Sequence, residues 1–131
     1  MRFPKLKGKA VLSPMAGVTD VAFRALARSY GAALTYTEFV SSTAIVRGNE
    51  KTRQLILIDE IESPVGVQLF GSSIPDLVAA AQEVEDRFDI IDINAGCPAW
   101  KVFKTGAGSA LLKSPQGVAK IVSKLASAVS K

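Results

Sequence analysis

Apolar residues along this chain follow two alternating rhythms. Short apolar runs at residues 10–12, 33–36, 64–69 and 90–94 read as strands. Between them, apolar residues recur every three or four positions, the spacing of one helix face. Phe23, Leu26, Ala27 and Tyr30 keep that spacing behind Thr19, which suits an N-cap, and Gly31 suits the stop. Ser73 suits the next cap, with Asp76 placed where a negative charge favours a helix N-terminus. Leu77, Ala80, Ala81, Val84 and Phe88 make that helix's apolar stripe. Ser114-Pro115 opens a last helix with proline at its first position, and Val118, Ile121, Val122, Leu125 and Val129 follow. All of these stripes are expected to pack into a core rather than bind a partner. Residues 41–63 are less regular: a short helix near 42–47, a turn at Gly48-Asn49 and an apolar piece at 55–58.

Strand and helix thus alternate four times. Such βα repeats imply a parallel sheet with right-handed crossovers. The expected class is α/β, with four βα units on a parallel sheet. That fits half of a TIM (β/α)8 barrel, or a small open sheet. Residues 1–131 form a single domain by length, about half of a typical barrel of roughly 250 residues. A hydrophobic content of 48% is ample for a packed core.

Composition narrows the chemistry. With 16 Lys plus Arg against 12 Asp plus Glu, the formal charge is +4, which is compatible with a polyanionic partner without requiring one. The basic start, Arg2, Lys5, Lys7 and Lys9, suits either a solvated arm or phosphate contact. One cysteine makes no internal disulfide and predicts a cytoplasmic setting. The absence of histidine removes His-based triads and most zinc sites, and no metal is expected. No apolar run approaches the ~18 residues of a membrane span, and the start lacks the apolar stretch of a signal peptide.

In parallel α/β folds, functional groups gather where strands end. Four such ends are visible: Ser13-Pro14-Met15-Ala16-Gly17, Thr37-Glu38-Phe39, Gln68-Leu69-Phe70-Gly71 and Asn94-Ala95-Gly96-Cys97-Pro98. Small residues beside Pro14 and Met15 would let a flat ligand approach the backbone, although from composition alone an ordinary tight βα turn is the favoured reading. Gln68 could bond a heterocycle edge or loop backbone. Glu38 reads as a carboxylate that holds a loop by accepting backbone N–H bonds. Asp92 and Asn94 alternate with Ile91 and Ile93 and so share one face. Cys97 sits between Gly96 and Pro98, where its thiol can donate a proton or attack an electrophile, or serve as a small buried apolar group. Beyond it, Trp100, Lys101, Phe103 and Lys104 precede Gly106-Ala107-Gly108. Lysines interleaved with aromatics suit an RNA strand, or a loop of solvated lysines and buried rings. No Gly-Lys-Ser/Thr follows, so this is not a P-loop.

Taken together, residues 13–20, 68–71 and 92–98, then 101–112, resemble the tRNA-dihydrouridine synthases in order and spacing, from about Lys9 to the last residue. The resemblance implies a flavin-containing barrel in which NADPH reduces FMN and the C5=C6 bond of uridine in tRNA is then reduced, hydride arriving at C6. Cys97 matches the cysteine that protonates C5. Pro14, Met15 and Ala16 match the segment against the flavin, Gln68 the glutamine at the isoalloxazine edge, and Asn94 the asparagine near substrate and flavin. Lys101 and Lys104 match the basic loop facing the RNA. In the family the barrel continues for four more βα units, which carry a lysine and a histidine near the flavin and the loops that bind its phosphate, and then a helical RNA-binding domain; the resemblance leads us to expect neither in this chain. A half-barrel leaves two strand edges unpaired, which predicts a homodimer. The alternative to a synthase fragment is a non-catalytic half-barrel scaffold that self-associates. Another flavin barrel, of the dihydroorotate-dehydrogenase kind, fits the basic aromatic loop poorly.

Overall fold

The computed structural model describes residues 3–131. Four parallel strands form one sheet in sequence order: β1 (Val11–Leu12), β2 (Leu34–Ser41), β3 (Val65–Phe70) and β4 (Ile90–Ile93). Helix α1 (Val21–Ser29) links the first two strands. Helices α2 (Ser42–Val46) and α3 (Glu50–Leu55) fill the next crossover, and α4 (Ile74–Val84) the third. After β4 come a short helix α5 (Trp100–Phe103), a 3-10 segment at Gly108–Lys113 and the long α6 (Pro115–Ala128). This is the expected α/β half-barrel arrangement. Arg2 lies outside the described residues, while Lys5, Lys7 and Lys9 are exposed. Among the described residues no helix is long and apolar enough to cross a membrane.

One face of the sheet is packed and the other is open. Along β3, Val65, Val67 and Leu69 are buried against the helices, while Gln68 and Phe70 are half-buried on the other side. Leu77, Ala80, Ala81 and Val84 of α4, with Phe88 just beyond, close the packed face as their spacing predicts. Ile121 and Leu125 of α6 complete that core. Each fully buried Val, Leu or Phe contributes roughly 1.5–3 kcal/mol. Gly66 lies on the open face beneath the Tyr36 ring, where a Cβ would overlap the ring.

The structure corrects several expectations. Asp20, not Thr19, caps α1, its carboxylate accepting from Phe23 N at 2.8 Å. Thr19 turns inward instead, its hydroxyl bonding Met15 N and O. The α1 stripe does not enter the core: Phe23, Leu26 and Tyr30 are 40%, 54% and 86% exposed. The residue of α1 that is buried is Arg24. Its guanidinium donates to Glu62 Oε1 at 2.7 Å, to Thr19 O at 2.8 Å and to Leu57 O. Glu62 also accepts from Thr35 Oγ1 and Asp59 N. A buried charge is tolerable only when paired and bonded in this way. Val122 of α6 is likewise exposed, at the sheet's far edge. Residues 50–55 are helical, capped by Asn49, so the apolar piece at 55–58 begins in a helix and a turn and ends without regular structure. Strand β2 runs on to Ser41, which places Glu38 inside it rather than at its end.

Candidate functional site

Parallel register sets the site. Gln68 of β3 is the register partner of Asp92 of β4, so their side chains share the open face. Gln68 Nε2 donates to Asp92 Oδ2 at 2.6 Å. Asn94, one step past β4, donates its Nδ2 to Gln68 Oε1 at 2.9 Å. Asn94 Oδ1 in turn accepts from Cys97 N at 2.9 Å and Gly96 N at 3.2 Å. A single chain of side-chain bonds therefore joins two strand ends to the cysteine loop.

Cys97 is free and half-buried on this rim. Its carbonyl accepts from Ser109 N at 3.0 Å. Gly108, at φ +59°, lies directly behind it: a Cβ there would stand 2.7 Å from Cys97 O and 3.3 Å from Cys97 Cβ. The Gly-rich return segment is thus a backstop that fixes the cysteine. Ser72 Oγ, from the β3 end, donates to Thr105 O at 2.7 Å and ties the same segment to the rim.

The first strand end is shaped by Thr19, whose bonds to Met15 close a turn over residues 15–19. Met15 and Ala16 are exposed and Pro14 half-buried. Glu38 accepts from Gly17 N, which joins this turn to β2 as the sequence suggests. On the same open face Tyr36 covers Gly66. Burial, with the Asp92 carboxylate second, pushes the Tyr36 phenol above its ordinary range. Phe39 and Phe70 meet edge to face, their centroids 5.3 Å apart, where β2 and β3 end.

Beyond Cys97, residues that read as loop fold into α5. That turn stacks Trp100 on Phe103, with centroids 5.9 Å apart. Lys113 Nζ lies 4.7 Å from the Phe103 centroid, near enough for a cation–π contact. Trp100 is 70% exposed, and Lys101 and Lys104 are exposed beside it. The rings are therefore not both buried, as one reading of this loop would have them.

The structure gathers Gln68, Asn94 and Cys97 into one bonded set and places Pro14, Met15 and Ala16 at a strand end of the same sheet. Sequence reasoning missed Tyr36, Asp92's bond to Gln68, and Lys113. Only the β2–β3–β4 register shows that Tyr36, Gln68 and Asp92 share a face, and no local pattern carries that register. Among the described residues, no group of three or more His, Cys, Asp or Glu could hold a metal ion.

Comparison with known proteins identifies the family. A family model described as dihydrouridine synthase (Dus) matches residues 11–131. A probable tRNA-dihydrouridine synthase of Treponema pallidum is 42% identical over 126 residues, covering 95% of this chain and 37% of that protein. The tRNA-dihydrouridine synthase B of Shewanella oneidensis is 45% identical over 127 residues, covering 95% and 39%. That of Vibrio vulnificus is 44% identical over 128 residues, again covering 95% and 39%. The chain spans about two-fifths of the length of these curated relatives.

Proposed function

We infer that this chain, which belongs to the dihydrouridine synthase family, supplies half of a flavin-dependent barrel that reduces the C5=C6 bond of uridine in tRNA. The observation that carries the reading is the setting of Cys97. The chain's one thiol stands half-buried on the strand-end rim, held through N by Asn94 and through O by Ser109.

The residues present fit FMN. Gln68 and Asn94 keep hydrogen-bonding capacity after their mutual bonds, which suits a heterocycle edge. Pro14, Met15 and Ala16 form an accessible turn of modest bulk against which a flat ring can lie. Bound FMN, recharged by NADPH, would supply the hydride that enters C6 of uracil. Cys97 Sγ–H gives the proton that C5 then requires, the task of a general acid. Its fixed backbone keeps that proton at one place on the rim. Lys101 and Lys104 meet tRNA phosphates, and the exposed Trp100 offers a face to an unstacked base. Extruding the target uridine costs a few kcal/mol, which such contacts offset. The remainder of the flavin site, including its phosphate cradle, comes from four further βα units. A cytoplasmic setting, where tRNA and NADPH meet, suits this chemistry.

A second reading is favoured by a separate observation. Both edges of the sheet are open and apolar. At one, Val11 of the two-residue β1 is 46% exposed, and α1, which packs on β2, shows Phe23, Leu26 and Tyr30. At the other, a groove of about 460 Å3 runs along β4 and α6, lined by Ile91, Ile93, Val118, Val122 and Leu125 among others. Such edges suit a half-barrel that self-associates as a homodimer without turnover.

Absorbance and activity separate the readings. When four further βα units are supplied to complete the barrel, flavin colour kept through gel filtration, with NADPH-dependent loss of uridine from tRNA, is the result expected of the first. Cys97→Ala should then keep the colour and lose at least about 10²-fold in rate. A completed barrel that stays colourless and takes up no added FMN overturns the first reading in favour of the scaffold.

A further inference from the structure

The bonded series on the open face has unequal ends. A carboxylate such as Asp92 only accepts, and a backbone N–H such as that of Cys97 only donates. Between them lie two primary amides, Gln68 and Asn94, each with a donor end and an acceptor end. Only one direction satisfies the whole series: Cys97 N to Asn94 Oδ1, Asn94 Nδ2 to Gln68 Oε1, Gln68 Nε2 to Asp92 Oδ2. If Gln68 turned over, its carbonyl would face the Asp92 carboxylate. Its NH2 would then face Asn94, and Asn94 would turn its own NH2 onto the Cys97 and Gly96 N–H groups. Acceptor would meet acceptor at one end and donor would meet donor at the other.

We propose that Asp92 is a positioning residue which, by accepting only, sets the direction of the Gln68 and Asn94 amides and through them the Cys97 loop. The proposal rests on the reading of this rim as the reacting site. It also fixes what the rim offers a ligand. Asn94 Oδ1 already takes two N–H groups, from Gly96 and Cys97, and is full. Asn94 is left with one N–H, so it meets a ligand as a donor. Gln68 keeps one N–H and one acceptor position. That combination suits a ring edge carrying carbonyl oxygens or imine nitrogens next to an N–H, the edge of a cyclic imide. Asp92 touches neither the cysteine nor the ligand edge, and acts through two amides in series.

The test follows hydrogen exchange of the Cys97 backbone N–H by NMR in the purified chain. Asp92→Asn is isosteric but can present either a donor or an acceptor to Gln68. It should speed Cys97 exchange up to about tenfold, the equivalent of one ordinary hydrogen bond. It should also shift or double the side-chain amide signals of Gln68 and Asn94. The double variant Asp92→Asn with Gln68→Glu moves the acceptor-only group one place along. Both neighbouring amides then donate to it, and Asn94 Oδ1 again faces Cys97. Exchange in the double variant should return to within about twofold of wild type. A merely structural need for a carboxylate at position 92 would not be rescued in this way. Unchanged exchange in Asp92→Asn, or a double variant as fast as the single one, overturns the proposal. If Asp92→Asn does not fold, the double variant decides: folded with wild-type Cys97 exchange supports it, unfolded overturns it. Neither flavin nor tRNA enters the measurement. Its failure would leave the proposed reduction standing, and a chain inactive on uridine would leave the exchange result intact.

Discussion

At Gly108 the backbone takes φ +59°, and an added Cβ would also lie 2.9 Å from Val102 Cγ1. Gly108→Ala therefore combines a left-handed penalty with overpacking, and should cost about 2–4 kcal/mol in urea unfolding. A loss below about 0.5 kcal/mol, the level of an ordinary surface substitution, would refute the backstop role. Tyr36 gives a prediction in pH. Its folded pKa is raised above the ordinary phenol value of 10.0, burial first and Asp92 second, so the folded state holds the phenol proton more tightly than the unfolded chain. That contribution is fully present below about pH 10 and is lost as pH rises through the folded value. Tyr36→Phe should flatten the fall of stability above pH ~10, measured by thermal unfolding from pH 8 to 11; an unaltered slope would count against it. Cys97, Gln68 and Asn94 were legible as candidates because each follows an apolar run beside glycine or a polar alternation. The bonds of Gln68 to Asp92 and Asn94 were not legible, because a bond across strands depends on register and not on neighbours in sequence.

Among the elements, α4 matches its apolar spacing, α6 matches it except at Val122, and α1 does not. Periodicity counts apolar side chains, and in α1 those positions face outward. The decisive residue, Arg24, is polar, and its partner Glu62 lies 38 residues away in a loop. Both side chains are fully buried. Glu62→Gln would leave the guanidinium charge uncompensated and should destabilise the fold by about 3–5 kcal/mol. Retention of the wild-type melting temperature in that variant would show that the pair carries no such weight. Helices α3 and α5 escaped the pattern for a different reason. Helices this short are not stable alone, so tertiary contacts and caps decide them. Asn49 caps α3, and the Trp100–Phe103 stack supports α5.

For the whole molecule, the consequence of four βα units is a sheet with two unpaired edges. Exposed edges recruit other strands. Light scattering at micromolar concentration should therefore find a dimer or larger species. Leu26→Glu, placed on the exposed face of α1, should shift the population toward monomer without unfolding the chain. A monomeric wild type at those concentrations would rule the association out. The four-unit parallel fold was legible from alternation alone. So were its two unpaired strand edges; the exposure of the α1 stripe was not, because a stripe in sequence looks the same whether a neighbour covers it or not. The chain also holds one thiol, Cys97, partly accessible on the strand-end rim. That makes it a ready attachment point. A maleimide dye would label a single atom with no competing cysteine to remove, and its emission would report directly on whatever enters the rim.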